Sequence, residues 1–78
     1  MSQKGKVWSR GRAVPGLDPK MYRRDSYGRV MNVYQYGNRQ SAYGWEIDHI
    51  RPVSKGGGNH LSNLQPLNWK SNVKKSNR

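Results

Sequence analysis

Asp48 and His49 stand side by side in the run Trp45-Glu46-Ile47-Asp48-His49-Ile50-Arg51-Pro52-Val53. A carboxylate is a hard oxygen ligand suited to Mg²⁺ or Mn²⁺. A neutral imidazole can take a proton from water near pH 7. Together the two could hold a metal ion and activate a nucleophile for phosphodiester cleavage. Asn63 and Asn72 follow at spacings that let a loop and a helix fold back onto that pair. The amide of Asn63 can bond both a carbonyl and an N–H, which suits pinning a loop. Asn72 could offer a carbonyl oxygen to the metal. One geometric tension is built in: neighbours on a regular strand point to opposite faces. Both Asp48 and His49 can serve one site only if the strand ends or bulges near His49.

The elements that must position these residues are short. Trp45 to Val53 reads as a strand ended by Pro52. Arg29 to Tyr36 is β-branched and aromatic enough for another. Leu17 to Asp25 carries helix-start chemistry, with Asp18 as cap and Pro19 at the first position, and predicts a two-turn helix. Gly56-Gly57-Gly58 reads as a flexible turn, and Leu61 to Leu67 as a loop and short strand. Asn68 to Lys75 lacks Gly and Pro and opens on a cap residue, so a C-terminal helix is expected, with Ser76 to Arg78 fraying. On that helix Trp69 and Val73 would face the core, and Asn68, Asn72 and Lys75 would share another face. Residues 1–16 carry Lys4, Lys6, Arg10 and Arg12 and few apolar groups, so they read as a basic mobile arm tacked down by Trp8; residues 17–78 form the expected domain.

Bulk composition bounds the rest. Lys and Arg number 15 against 4 Asp and Glu, a formal charge of +11, and such a field favours polyanions. The chain has 78 residues and no cysteine, so one thin core is expected, without disulfides or a cysteine zinc site. No apolar run approaches a signal-peptide core or membrane span, so a cytoplasmic protein with no membrane partner is expected.

Glu46 to Gly57, then Leu61-Ser62-Asn63-Leu64-Gln65-Pro66-Leu67, then Asn72 to Lys75, resemble the HNH endonuclease family. The resemblance covers about the C-terminal half. It implies an α+β fold with a ββα-metal core, preceded here by the short N-terminal helix and strand. By that likeness His49 would be the general base in a one-metal mechanism, Asp48 a metal ligand, and Asn63 the residue that fixes the loop and thereby orients His49. Asn72 stands where the last histidine of the name usually falls, which makes this an H-N-N variant. An amide oxygen there favours one Mg²⁺ or Mn²⁺ over Zn²⁺. The paired Cys-x-x-Cys motifs of many members are missing, so no structural zinc is expected and the fold must rest on the tryptophans, Ile47, Ile50, Leu64, Leu67 and Val73. The implied partner is DNA, double-stranded first, with Arg51, Lys55, Lys70, Lys74 and Lys75 as phosphate contacts that set affinity and salt dependence. By analogy the setting is a phage, mobile element or restriction system, with a protein partner from it.

Other readings stay open at this level. The chain could be a non-catalytic basic nucleic-acid-binding module with a degenerate fold of this type. Asn72 could be a solvated helix residue, and His60 an ordinary surface histidine. Glu46 reads more simply as the partner of a nearby arginine than as a ligand. Tyr34, Tyr36 and Tyr43 could stack on bases, although packing beside a small core is the commoner role.

Overall fold

A computed structural model of the chain describes residues 2–76. The architecture is α+β. Helix α1 (Gln3–Trp8) is followed by β1 (Arg12–Ala13), β2 (Tyr22–Arg24) and β3 (Val30–Asn32), which form a three-stranded antiparallel sheet in that order. β4 (Trp45–His49) and β5 (Leu64–Asn68) form a second antiparallel pair, and α2 (Trp69–Ser76) follows β5 directly. β4, β5 and α2 are the expected ββα unit.

Trp45 organises the core. It is fully buried, with the Trp8 ring 5.0 Å away and the Tyr36 ring 4.9 Å away, and its indole N–H donates to the Val33 carbonyl at 3.2 Å. Val7, Trp8, Met31 and Leu64 complete the cluster, with Val33 and Ile47 half-buried against it. Leu67 is fully buried as well. Three residues expected in the core are not in it: Ile50 is exposed, and Trp69 and Val73 are only half-buried. The buried residue of α2 is Ser71, not Trp69 or Val73. A small side chain there lets the helix approach β5 closely, and its hydroxyl meets the Arg29 guanidinium at 3.2 Å.

The expected mobile arm is a helix, capped by the Ser2 hydroxyl on Gly5 N–H. Its Val7 and Trp8 enter the core because a thin core recruits any large apolar group within reach. Trp8 Nε1 also donates to the Pro19 carbonyl at 3.0 Å, and Arg10 Nε to the Leu64 carbonyl at 2.8 Å. The expected helix over Leu17 to Asp25 is absent. Asp18 does cap, but it caps a turn: its Oδ1 accepts from Lys20 N–H at 2.9 Å, and its carbonyl accepts from Met21 and Tyr22. Tyr22 to Arg24 then pair with two other strands, a nonlocal gain that local helix propensity does not outweigh. The strand expected over Arg29 to Tyr36 stops at Asn32, whose side chain caps a 3₁₀ turn from Val33 to Gln35. Of Ser76 to Arg78, where fraying is expected, Ser76 is the last residue of α2, because the helix runs one residue further than its expected end; Asn77 and Arg78 lie outside the described residues.

Two buried polar side chains join the two sheets. Asp25 accepts from the backbone N–H of Tyr27 and Arg29 through Oδ1 and from that of Asn68 through Oδ2, at 2.9–3.0 Å. Asn68 donates to the carbonyls of Val30 and Ala42 and caps α2 by accepting from Lys70 N–H at 2.9 Å. Buried polar groups are tolerated when every one is bonded, and no described buried side-chain atom lacks a partner.

Candidate active site

β4 ends at His49, and that ending resolves the tension between neighbours on a strand. Asp48 and His49 line the same cleft, of about 650 Å³, with Ile47, Pro52, Val53, Lys55, Lys75 and Ser76. Alternation along β4 puts Glu46 and Asp48 on the face that α2 covers. On α2, Asn72 and Lys75 are about one turn apart, so they fall over those two carboxylates in turn. Asn72 Nδ2 donates to Glu46 Oε1 at 2.8 Å, and Lys75 Nζ to Asp48 Oδ2 at 2.6 Å.

Asp48 and Asn72 therefore share one interface, but they do not share one cleft. Asn72 borders a neighbouring hollow with Arg39, Val73 and Ser76, and Ser76 borders both. The bond to Glu46 engages the amide nitrogen of Asn72, the end that cannot ligate a metal. Glu46 also takes a two-pronged contact from Arg39, at 2.7 and 2.9 Å. The Arg39 hydrogen bond, helped by the Asn72 bond and the Arg39 charge and opposed by partial burial, holds the Glu46 carboxyl below its ordinary pKa. A depressed carboxyl contributes stability at pH values above its unfolded pKa, and that contribution is lost as pH falls through the folded value.

Asn63 ties the connection between the two strands into a closed loop. Its Oδ1 accepts from Arg51 N–H at 2.8 Å, while Nδ2 donates to the carbonyls of Arg51 at 3.1 Å and Gly58 at 2.7 Å. Ile50 N–H donates to the Asn63 carbonyl beside it, at 2.8 Å. The three glycines belong to this clamped loop and are not a free turn. Gly56 has φ of 86°, and a Cβ on Gly57 would stand 1.9 Å from the Arg51 carbonyl oxygen. Asn63→Asp keeps the acceptor for Arg51 N–H but puts one carboxylate oxygen, in place of Nδ2, against the carbonyls of Arg51 and Gly58. We expect it to cost about 1–3 kcal/mol in urea unfolding and to lower any cleavage roughly 10- to 100-fold, the usual cost of losing a supporting contact at a metal site. Wild-type stability in that variant would remove the clamp.

His49 Nε2 lies 2.8 Å from Asn59 Oδ1. Asp48 Oδ2 also accepts from Gln65 Nε2 at 3.0 Å, since Gln65 is its cross-strand partner. Asn59 does not stand out in the sequence, and Gln65 does so only as the end of the Asn-Leu-Gln run in the family likeness, without a role. The role of Gln65 becomes visible only with the β4–β5 register, and that of Asn59 only once the loop is closed. Of the expected phosphate contacts, Lys55, Lys70 and Lys74 are exposed, and Lys70 lies over the Trp69 ring at 5.7 Å. Arg51 is exposed too, with Nε on the Lys55 carbonyl at 2.7 Å. Lys75 departs from its expected role. It is mostly buried, and its ammonium bridges Asp48 Oδ2 and the His49 carbonyl because α2 packs across β4 at that point. His60 is a surface residue. Tyr34, Tyr36 and Tyr43 are all exposed, although Tyr36 still packs its ring edge on Trp45.

The HNH endonuclease family model matches residues 35–78, more than half of the chain. The chain belongs to the HNH endonuclease family. The matched region holds β4, β5, α2 and the loop closed by Asn63, which together are the ββα core of an HNH fold. Membership of the HNH family brings nuclease-type chemistry and, in general, a divalent metal ion. No curated protein and no solved structure matches the chain.

The residues of this HNH core fit such an ion in one respect and limit it in another. Asp48 is a hard oxygen donor whose field already holds a cation, the Lys75 ammonium. Among the described residues no three His, Cys, Asp or Glu side chains cluster as a metal site. An ion here would draw on the Asp48 carboxylate and on further oxygen donors. No described helix is long and apolar enough to cross a membrane.

Proposed function

We propose that this HNH protein is a metal-dependent endonuclease that hydrolyses DNA phosphodiester bonds, with His49 as general base. The observation that carries the reading is the pairing of Asp48 and His49 on one cleft wall at the end of β4, with the imidazole held through Nε2. With Nε2 donating, Nδ1 is the proton-accepting nitrogen, and a water within its reach could lose a proton to it. Asn63 acts at one remove, by closing the loop around the end of β4. Asp48 would hold one Mg²⁺ or Mn²⁺ from its cleft, with the carbonyl oxygen of Asn72 as second protein ligand from the adjoining hollow, at the place where Ser76 borders both. An ion bound there supplies charge neutralisation at the scissile phosphate and the leaving oxygen.

The exposed Lys55, Lys70 and Lys74, with Arg51, would seat the phosphate backbone of double-stranded DNA without reading its sequence. A second reading is supported by the Lys75–Asp48 ion pair, which neutralises the proposed ligand from within the chain. A purely binding module would be content with that arrangement. Supercoiled plasmid separates the two. Nicked circles that form with Mg²⁺ and fail to form with a chelator support the nuclease; retardation of DNA in both conditions with no nicking supports the binder.

A further inference from the structure

Asn59 follows three glycines in an exposed stretch, where a side chain is ordinarily solvated. Its Oδ1 instead stands 2.8 Å from His49 Nε2. A carboxamide oxygen only accepts, so this bond requires a proton on Nε2. In a neutral ring the lone pair is then on Nδ1. The backbone that carries Asn59 is itself held: Gly58, one residue before, gives its carbonyl to Asn63 Nδ2 at 2.7 Å. Gly57 N–H donates to the Pro52 carbonyl at 2.9 Å, and the close approach to Arg51 admits no side chain at position 57. The same clamp thus sets the distance between Asn59 and the end of β4. The charged groups on the cleft are engaged elsewhere than on this nitrogen. Asp48 Oδ2 takes Lys75 and Gln65, and the Lys75 ammonium reaches the His49 carbonyl. Lys55 lines the same cleft from the 3₁₀ turn Val53–Lys55 that follows Pro52.

We propose that Asn59 is a positioning residue: it fixes the rotation of the His49 ring and its Nε2–H tautomer, and so presents Nδ1 to the water. The proposal deepens the nuclease reading and rests on His49 as the base. It also gives Asn63 a physical route to the base, through Gly58 and Asn59.

The test reads the ring directly. In protein labelled with ¹⁵N at histidine, at a pH where His49 is neutral, the expected spectrum shows one tautomer with Nε2 protonated. In Asn59→Ala both ring nitrogens should move toward values averaged between tautomers. Asn59→Asp, which can accept but cannot donate, should restore the single tautomer. The backbone amide spectrum checks that both variants are folded. In plasmid nicking with Mg²⁺, Asn59→Ala should lower kcat roughly 10- to 100-fold with KM within about twofold, as expected for loss of a partner behind a reacting group. A wild-type ring protonated on Nδ1, or an Asn59→Ala ring unchanged from wild type, would overturn the proposal. The expected spectra in a protein that never nicks DNA would uphold the Asn59–His49 contact and remove only the nuclease reading.

Discussion

His49→Ala is expected to lower Mg²⁺-dependent plasmid nicking by about 10²–10⁴-fold, the range for loss of a positioned general base, while DNA affinity stays within about twofold. The two halves of this expectation come from different parts of the molecule. Deprotonation of water is assigned to Nδ1 of a ring held through Nε2 on Asn59. Affinity is assigned to exposed cations on the loop and α2, whereas the hydrogen bond on the imidazole comes from Asn59. The substitution removes a half-buried ring at the end of β4 and opens no core cavity. The measurement pairs a supercoiled plasmid time course with gel retardation at fixed salt, since phosphate-driven affinity depends steeply on salt. Equal nicking rates for wild type and variant would take the base role from His49. Loss of nicking and retardation together would point to a folding defect, which the melting curve of the same sample would show.

Trp45→Ala is expected to destabilise the fold by about 3–5 kcal/mol, the range for truncating a large aromatic in a core. A domain of this size has on the order of 4–12 kcal/mol in total, so much of its stability rests on one side chain. The reason is geometric. Trp45 is fully buried between Trp8 on α1 and Tyr36 after the 3₁₀ turn, and it begins the strand that ends in His49. Its removal separates α1 from the hairpin and leaves the Val33 carbonyl without its indole partner. Thermal unfolding followed by circular dichroism should show a midpoint roughly 15–30 °C lower, from the usual slope for domains of this length. A shift of only a few degrees would mean that the core is not centred on Trp45. Trp69→Ala is the internal comparison. Trp69 is only half-buried, although its indole bonds the Ser41 carbonyl at 2.7 Å, and the smaller shift should fall there.

Much of the site could be read along the chain because its parts are local or carry unmistakable chemistry. Asp48 beside His49 supplies a hard oxygen donor and an imidazole whatever the fold. The pinning role of Asn63 follows from an amide that both donates and accepts, and its three bonds to Arg51 and Gly58 use both ends. The C-terminal helix announces its start in Asn68, which caps Lys70. The Arg39–Glu46 pair is the simpler partner choice expected for Glu46.

The misses share a cause. Asp18-Pro19 is start chemistry for a helix and for a turn alike, and the choice was made by the strands that flank β2 in the sheet, β1 and β3. The N-terminal segment reads as a basic arm because its composition is polar, yet two apolar residues suffice to anchor it when the core is thin. The four-residue spacing of one helix face picks Trp69 and Val73 for the core, but close packing against β5 favoured the small Ser71. Lys75 counts as a surface charge until α2 is laid across β4.

By itself, then, the order of amino acids determined which functional groups this protein owns and the strands and C-terminal helix that carry them, because side-chain chemistry and short-range periodicity are local properties; their ββα arrangement came from the family likeness. Only the tertiary structure decided which partner each group meets: Lys75 on Asp48, Asn72 on Glu46, Gln65 across from Asp48, Asn59 on the imidazole. Those pairings depend on strand register, on the end of β4 and on the path of a clamped loop. Each is set by packing between segments far apart in the chain, and no local pattern encodes it.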